Sequence, residues 1–393
     1  MKKKFVFFAT VLFAIGGVLS APQTLQAQDL NGVLDSTFNY TAGAGAALEH
    51  SFGFEQFANL RLRVRTWEGA TFISAFNVIA STGNFVETAD FMEALNPNFL
   101  GSTPFIYGQN YAAALELERL YFRINNDLFD TETGLFRMAF GYSQVWGPSD
   151  FLNPRNPLSP NARPRGVLGT SFLFSPRDSM DLIFFAAAPG NPFISDGGGF
   201  IPGCVLDKHW SRASLQTLYC FQAPLKESRF GIHRFGFSLK ADLELGFVAD
   251  LLYTLNPDNI NGIDSLSASA GFDYSFLEGN LYILFEYLFN GSTSATALGS
   301  GGFFVNNNFL SGTALYRFND YSSITFSTVF CFDDLSFQPM VRFDYELFQG
   351  FSLNLNASIP LDQGVFSGVK TGEFGPINSR ARFILNAGAR LRF

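Results

Sequence analysis

The chain ends with the residues Asn386-Ala387-Gly388-Ala389-Arg390-Leu391-Arg392-Phe393. Extended backwards, this stretch places Phe383, Leu385, Ala387, Ala389, Leu391 and Phe393 on one face of a strand. Arg382, Asn386, Arg390 and Arg392 fall on the other face, because successive side chains of a strand point to opposite sides. One face suits hydrocarbon and the other water, which predicts a strand in a membrane wall with a wet interior.

The same period recurs along the chain. Leu60, Leu62 and Val64 alternate with Arg61, Arg63 and Arg65, the sharpest instance. Phe38, Tyr40 and Ala42 oppose Asp35, Thr37, Asn39 and Thr41; Phe136, Met138, Phe140 and Tyr142 oppose Arg137, Ala139, Gly141 and Ser143. Leu266, Ala268, Ala270 and Phe272 oppose Ser265, Ser267, Ser269 and Gly271; Phe351, Leu353 and Leu355 oppose Ser352, Asn354 and Asn356. These segments predict half-apolar strands. In the strand expected over 112–125, Glu116 and Glu118 share a face with Leu120 and Phe122, so either a bulge near Glu118-Arg119 switches faces or part of the span lies above the membrane.

Composition agrees with a membrane barrel. The chain carries 49 Phe and is 17% aromatic but only 15% charged. Beyond the N-terminus no run approaches the ~18 apolar residues that a spanning helix needs. A closed barrel reconciles the two, since each strand is apolar only at alternate positions and no edge is left unpaired in lipid. The net charge of −8 argues against nucleic acid as a partner.

Lys2, Lys3 and Lys4 precede an apolar run from Phe5 to Leu19 and a small-residue stretch ending near Ala27, which reads as a secretory signal peptide over 1–27. Cleavage near Ser20 or Ala21 is the alternative to cleavage after Ala27. The barrel then occupies 28–393. Tight turns are expected near 68–69, 130–134, 176–178, 242–244, 276–280, 319–321 and 348–350, with longer links between them. Counting every alternating segment gives about 17 strands, because 214–221 also alternates. Treating 189–227 as one large external loop restores an even number, so the expectation is an all-β, antiparallel up-and-down transmembrane barrel of about 16 strands (roughly 14–18) with short periplasmic turns and long outer loops. Tyr274, Phe276, Tyr316, Tyr321, Tyr345, Phe348 and Phe351 would form the periplasmic aromatic girdle.

The chain end, with Phe393 last, Leu391 two before it, Gly388 and then Asn386, resembles the terminal β-signal by which bacterial outer-membrane barrels are recognised and inserted. The resemblance implies outer-membrane lipid, lipopolysaccharide or its equivalent, and the barrel-assembly machinery as partners. Gly141-Tyr142-Ser143-Gln144-Val145-Trp146-Gly147, followed by Asp150, Asn153-Pro154 and Asn156-Pro157, is similar to a pattern of outer-membrane porin-like families in which a Gly-Arg-Gln strand leads to Trp-Gly. Here Tyr142 stands where that pattern has Arg.

Two groups of residues are candidates for function. If the last strand pairs with the first, Arg61, Arg63, Arg65, Arg382, Arg390 and Arg392 line one sector of the inner wall, where guanidinium groups attract anions. Neutralisation by acidic lumen residues such as Glu286, Asp344 and Glu346, or contact with lipopolysaccharide phosphates, is the alternative. The second group is the proline-stiffened link 146–165 with Asp150, Arg155, Arg163 and Arg165. It is the third outer loop, and by resemblance to general diffusion porins it folds inward as a constriction; an ordered external cap is the competing reading. Cys204 and Cys220 share the expected large loop and either pair as a disulfide or remain free thiols, with Cys331 alone. No spacing suggests a metal, and no cofactor is implied.

Catalysis would need a base, and His50, His209 and His233 lie in no arrangement with a nucleophile. The expected function is passive diffusion of small hydrophilic solutes, with anions favoured and a homotrimer by analogy with general porins. A transporter of apolar solutes of the fatty-acid type, or a structural or adhesive barrel, are the alternatives. Small inward positions such as Gly43, Gly45, Ser267 and Ser269 favour an open lumen.

Overall fold

The computed structural model describes residues 28–43, 50–84, 103–108, 110–153, 157–158, 166–188, 199–224, 231–257, 266–291, 304, 306–361, 373–374 and 381–393. The expected signal segment lies outside the described residues. In chain order the strands are β1 (Gln28–Gly43), β2 (His50–Trp67), β3 (Ala70–Gly83), β4 (Thr103–Gly108), β5 (Tyr111–Asn125), β6 (Phe129–Phe136), β7 (Val167–Arg177), β8 (Met180–Ala188), β9 (Ile201–His209) and β10 (Ala213–Gln222). They continue as β11 (Ile232–Asp242), β12 (Gly246–Leu255), β13 (Leu266–Phe276), β14 (Leu281–Asn290), β15 (Asn308–Asn319), β16 (Ser322–Cys331), β17 (Phe337–Phe348), β18 (Phe351–Ser358) and β19 (Ala381–Arg392).

Each strand pairs antiparallel with its neighbours, and β1 pairs with both β2 and β19, so the sheet closes. Eighteen strands make the wall. The remaining one, β4, pairs with the outer end of β5, along the edge that β6 follows only from Leu120 to Asn125. At the seam Phe393 N donates to Gly32 O and Gly32 N to Phe393 O, at 3.1 and 2.9 Å. A Cβ on Gly388 would come within 2.7 Å of Asn354 Oδ1, so the glycine of the terminal strand lets the Asn354 side chain lie across it.

The alternation reads as expected. Phe38, Phe54, Leu60, Phe122, Phe172, Phe235, Phe272, Phe343 and Leu355 are exposed on the outer face, where lipid would cover them. The expected girdle residues Tyr274, Phe276, Tyr316, Tyr321, Tyr345 and Phe348 are also exposed, beside the short turns. A register shift leaves Glu118 between Arg119, opposite Ala75, and Leu117, opposite Phe76. Of the two readings open for this strand the bulge is the one observed, and it brings Arg119, Tyr121 and Arg123 to the inner face below Glu116 and Glu118.

Eighteen wall strands lie within the expected 14–18, and three expectations are corrected. Residues 189–227 are no single loop: β9 and β10 pair with each other and with their neighbours. The segment β9 escapes a period-two reading because Pro202 and Gly203 follow its first residue and it closes on Asp207-Lys208-His209. Cys204 and Cys220 sit in those strands, one register step apart (Cys204 faces Tyr219, and Cys220 faces Gly203), so their side chains leave opposite faces. Both are free, one exposed and one buried, and no disulfide joins them. The turn expected over 130–134 lies instead at 126–128, where Asn126 Oδ1 accepts the N–H groups of Leu128 and Phe129 at 3.0 Å. Finally, the alternation from Phe136 to Ser143 is no strand: β6 ends at Phe136 and the chain turns into the barrel.

Candidate functional site

The inward segment runs over 137–153 and makes its hydrogen bonds to the inner wall along β9 to β14, with apolar contacts reaching β8 and β16. Its contacts follow the wall strand by strand. Gly141 N donates to Gln216 Oε1 at 2.7 Å, and Tyr142 Oη to Asp207 Oδ1 at 2.5 Å. Asp250 accepts Tyr142 N and Ser143 N at 3.1 and 3.0 Å, and the Ser143 and Ser269 hydroxyls lie 2.6 Å apart. Glu286, fully buried, accepts the N–H groups of Gln144, Val145 and Trp146 at 3.0, 3.2 and 2.8 Å, and the Trp146 indole donates to the Glu286 carbonyl.

A chain that leaves a sheet carries backbone donors needing new acceptors, and here the wall carboxylates supply them. Gly141 permits the approach: its φ is +85°, and a Cβ there would meet Asp250 Oδ2 at 2.5 Å. Apolar contacts complete the seat. Met138, Phe140, Phe151 and Leu152 pack on Phe185, Val205, Leu218 and Leu252, inward-facing residues of the wall. Arg234, buried on β11, lies over the Phe151 ring at 5.2 Å. Trp146 is enclosed by Phe304, Phe309, Val329 and Phe374, which ties the tip of the segment to the outer loops.

Opposite this covered arc is a cavity of about 360 Å³, lined by Arg61, Arg63, Arg119, Arg123 and Arg137 together with Asp29, Asn31, Tyr121 and Glu132. Arg123 Nε donates to Glu132 Oε1 at 2.6 Å, Arg137 lies 3.4 Å from Asp150, and Arg119 3.8 Å from Glu118. Among the described residues, no carboxylate lies within ion-pair distance of Arg61 or Arg63. Three of the five guanidinium groups thus have carboxylate partners, and Arg61 and Arg63, beside Asp29, leave the lining basic.

The structure divides the basic sector expected from sequence. Arg61 and Arg63 face the cavity, and Arg65 lies toward the inner rim of the same strand. Arg390 instead makes a two-point ion pair with Asp35 at 2.7 and 3.1 Å, so it is neutralised across the closure by Asp35 rather than by the acidic residues expected. Asp344 pairs with Arg342, and Glu286 holds the inward segment. Arg392 is exposed at the rim; Arg382 belongs to β19, with its side chain outside the described residues. Of the constriction candidates, Asp150 is buried beside Arg137, while Arg155, Arg163 and Arg165 lie outside the described residues. Arg119 and Arg123 were missed by period-two reading, and the bulge at Glu118 was their one sequence signal; Arg137 was placed on the polar face of a strand that in fact ends one residue before it.

No protein-family model matches the chain, and no curated protein matches its sequence. Solved structures do match. Acinetobacter baumannii OccAB1 aligns with a TM-score of 0.59 at 10% identity, over 95% of this chain and 98% of that one. Acinetobacter baumannii OccAB4 aligns at 0.58 and 11%, over 95% and 100%, and a BenF-like porin from Pseudomonas fluorescens Pf-5 at 0.58 and 10%, over 94% and 99%. At these identities the likeness is one of fold. With its closed antiparallel wall and apolar outer band, the chain has the fold of these porin β-barrels.

Proposed function

We propose that the barrel is a channel for passive diffusion of small hydrophilic solutes and that it favours anions. The observation that carries this reading is the exposure of Arg61 and Arg63 to the lumen without a carboxylate partner among the described residues, beside Arg119, Arg123 and Arg137. Guanidinium groups in a concave, partly desolvated site attract carboxylates and phosphates. A path for apolar solutes is less favoured, because the apolar part of the lumen wall is covered by the protein's own 137–153 segment. In this reading the segment, with Asp150 and the Arg155, Arg163 and Arg165 that follow, narrows the pore. Residues 1–27 act as the export signal, Asn386, Gly388, Leu391 and Phe393 are read by the assembly machinery, and the barrel works as a homotrimer.

The test is single-channel recording of the refolded chain 28–393 in planar bilayers under a salt gradient. Stable current steps with an anion-selective reversal potential are expected, and R61Q/R63Q shifts that potential toward cations. A folded barrel that passes no current overturns the channel, and an unchanged potential in the variant overturns the anion preference.

A further inference from the structure

At the inner rim of the covered arc, His209 on β9 stands between two carboxylates. Its Nε2 is 3.5 Å from Asp207 Oδ1 and 3.6 Å from Asp181 Oδ2, and its Nδ1 is 3.1 Å from Ser214 Oγ. Asp207 is already engaged: Oδ1 accepts the Tyr142 phenol at 2.5 Å and Oδ2 accepts Gln216 Nε2 at 2.9 Å. Asp181 accepts Ser175 Oγ at 2.6 Å. The other charged groups on the elements around this cluster are Lys208, which donates to Ser179, the Lys240–Asp242 ion pair on β11, Arg177 and Asp178 at the β7–β8 turn, Arg212 at the β9–β10 turn, and Asp250 under Tyr142.

We infer that this His209–Asp181–Asp207 cluster makes the seating of the inward segment respond to pH through Tyr142. The inference rests on the channel reading only for its consequence. One oxygen, Asp207 Oδ1, is shared between the phenol and the imidazole. A neutral imidazole leaves it to the phenol. An imidazolium, attracted to both carboxylates, competes for that oxygen and draws the carboxylate away from Tyr142. The cluster passes at the same time from two formal negative charges to one. Acidification thus loosens the point at which the segment is held to β9, while Asp250 and Glu286 still hold the next residues. Unperturbed imidazole is the side chain whose charge changes between about pH 5 and 8, which sets the range to be tested.

The experiment uses chain 28–393 in lipid vesicles and planar bilayers, in a W67F/W210F background that leaves Trp146 as the reporter, four residues along from Tyr142. Between pH 8 and 5 the Trp146 emission and the open-channel noise are expected to rise together, with noise increasing at least twofold. H209Q removes the response, and Y142F gives the low-pH behaviour at both values. An equal response in H209Q, or none in the unsubstituted protein, overturns the inference. A barrel that conducts without the response leaves the channel reading standing, whereas a Trp146 response in a barrel that passes no current overturns the channel and keeps the switch.

Discussion

Two arcs of the same inner wall treat charge in opposite ways. From β9 to β14 the acidic side chains Asp207, Asp250 and Glu286 are covered by the 137–153 segment and bind its phenol or its backbone. From β2 to β6 the arginines face a cavity, and two of them have no ion-pair partner among the described residues. The difference teaches that formal charge on a lumen wall reaches a solute only where the fold has not already engaged it. Counting charges by strand face, without knowing where the chain re-enters the barrel, would have given the acidic arc equal weight.

Substitutions that uncover one arc or engage the other test this contrast. The largest effect is expected from Glu286→Ala, which strands the buried N–H of Trp146 and the part-buried N–H groups of Gln144 and Val145, at a cost on the order of 3 kcal/mol. Denaturant unfolding of the barrel in vesicles measures the loss, and higher conductance would accompany release of the segment. Unchanged stability would mean the covered arc does not depend on its carboxylate. A smaller effect is expected from Asp35→Asn. It leaves Arg390 without its two-point partner and moves the reversal potential toward anions, opposite in sign to R61Q/R63Q.

The smallest effect concerns the outer end of the covered arc, where Trp146 meets the outer loops. Burial raises the Asp334 carboxyl, but hydrogen bonds from Ser336 Oγ, Ser336 N and Glu373 N outweigh it and hold the group below the ordinary carboxylate range. A depressed folded-state value stabilises the loop above the unfolded value of about 3.9, and that contribution is lost as pH falls through the folded value. Protease cleavage of the outer loops should therefore increase below about pH 4 and lose that dependence in Asp334→Asn.

Much of the wall was legible because lipid on one side and water on the other impose period two, and the terminal strand named its own partner face. The bulge was half legible: Glu116, Glu118 and Leu120 conflict on one face, which either an inserted residue or a span partly above the membrane would resolve, and the register shift decides for the first. The inward segment was misread for a physical reason. A chain laid extended against a wall also alternates, with Met138 and Phe140 packed on the apolar cluster, and only Gly141 breaks the pattern. The arginine cavity was half legible. Arg61 and Arg63 follow from alternation, whereas Arg119 and Arg123 reach the lumen by the face switch, and Arg137 by the turn inward.

The short strand β4 carries a consequence for the wall as a whole. When the chain leaves β6 at Phe136, the outer third of β5 loses its neighbour, and Thr103–Gly108 from the preceding loop pairs with residues 111–115 of that edge. An unpaired edge beside lipid would be costly. The second and third loops are therefore one unit: the dip inward is tolerated because its neighbour shutters the gap. Shortening 85–108 alone should open a side window in the wall, leaving a barrel that leaks sideways before it fails to fold.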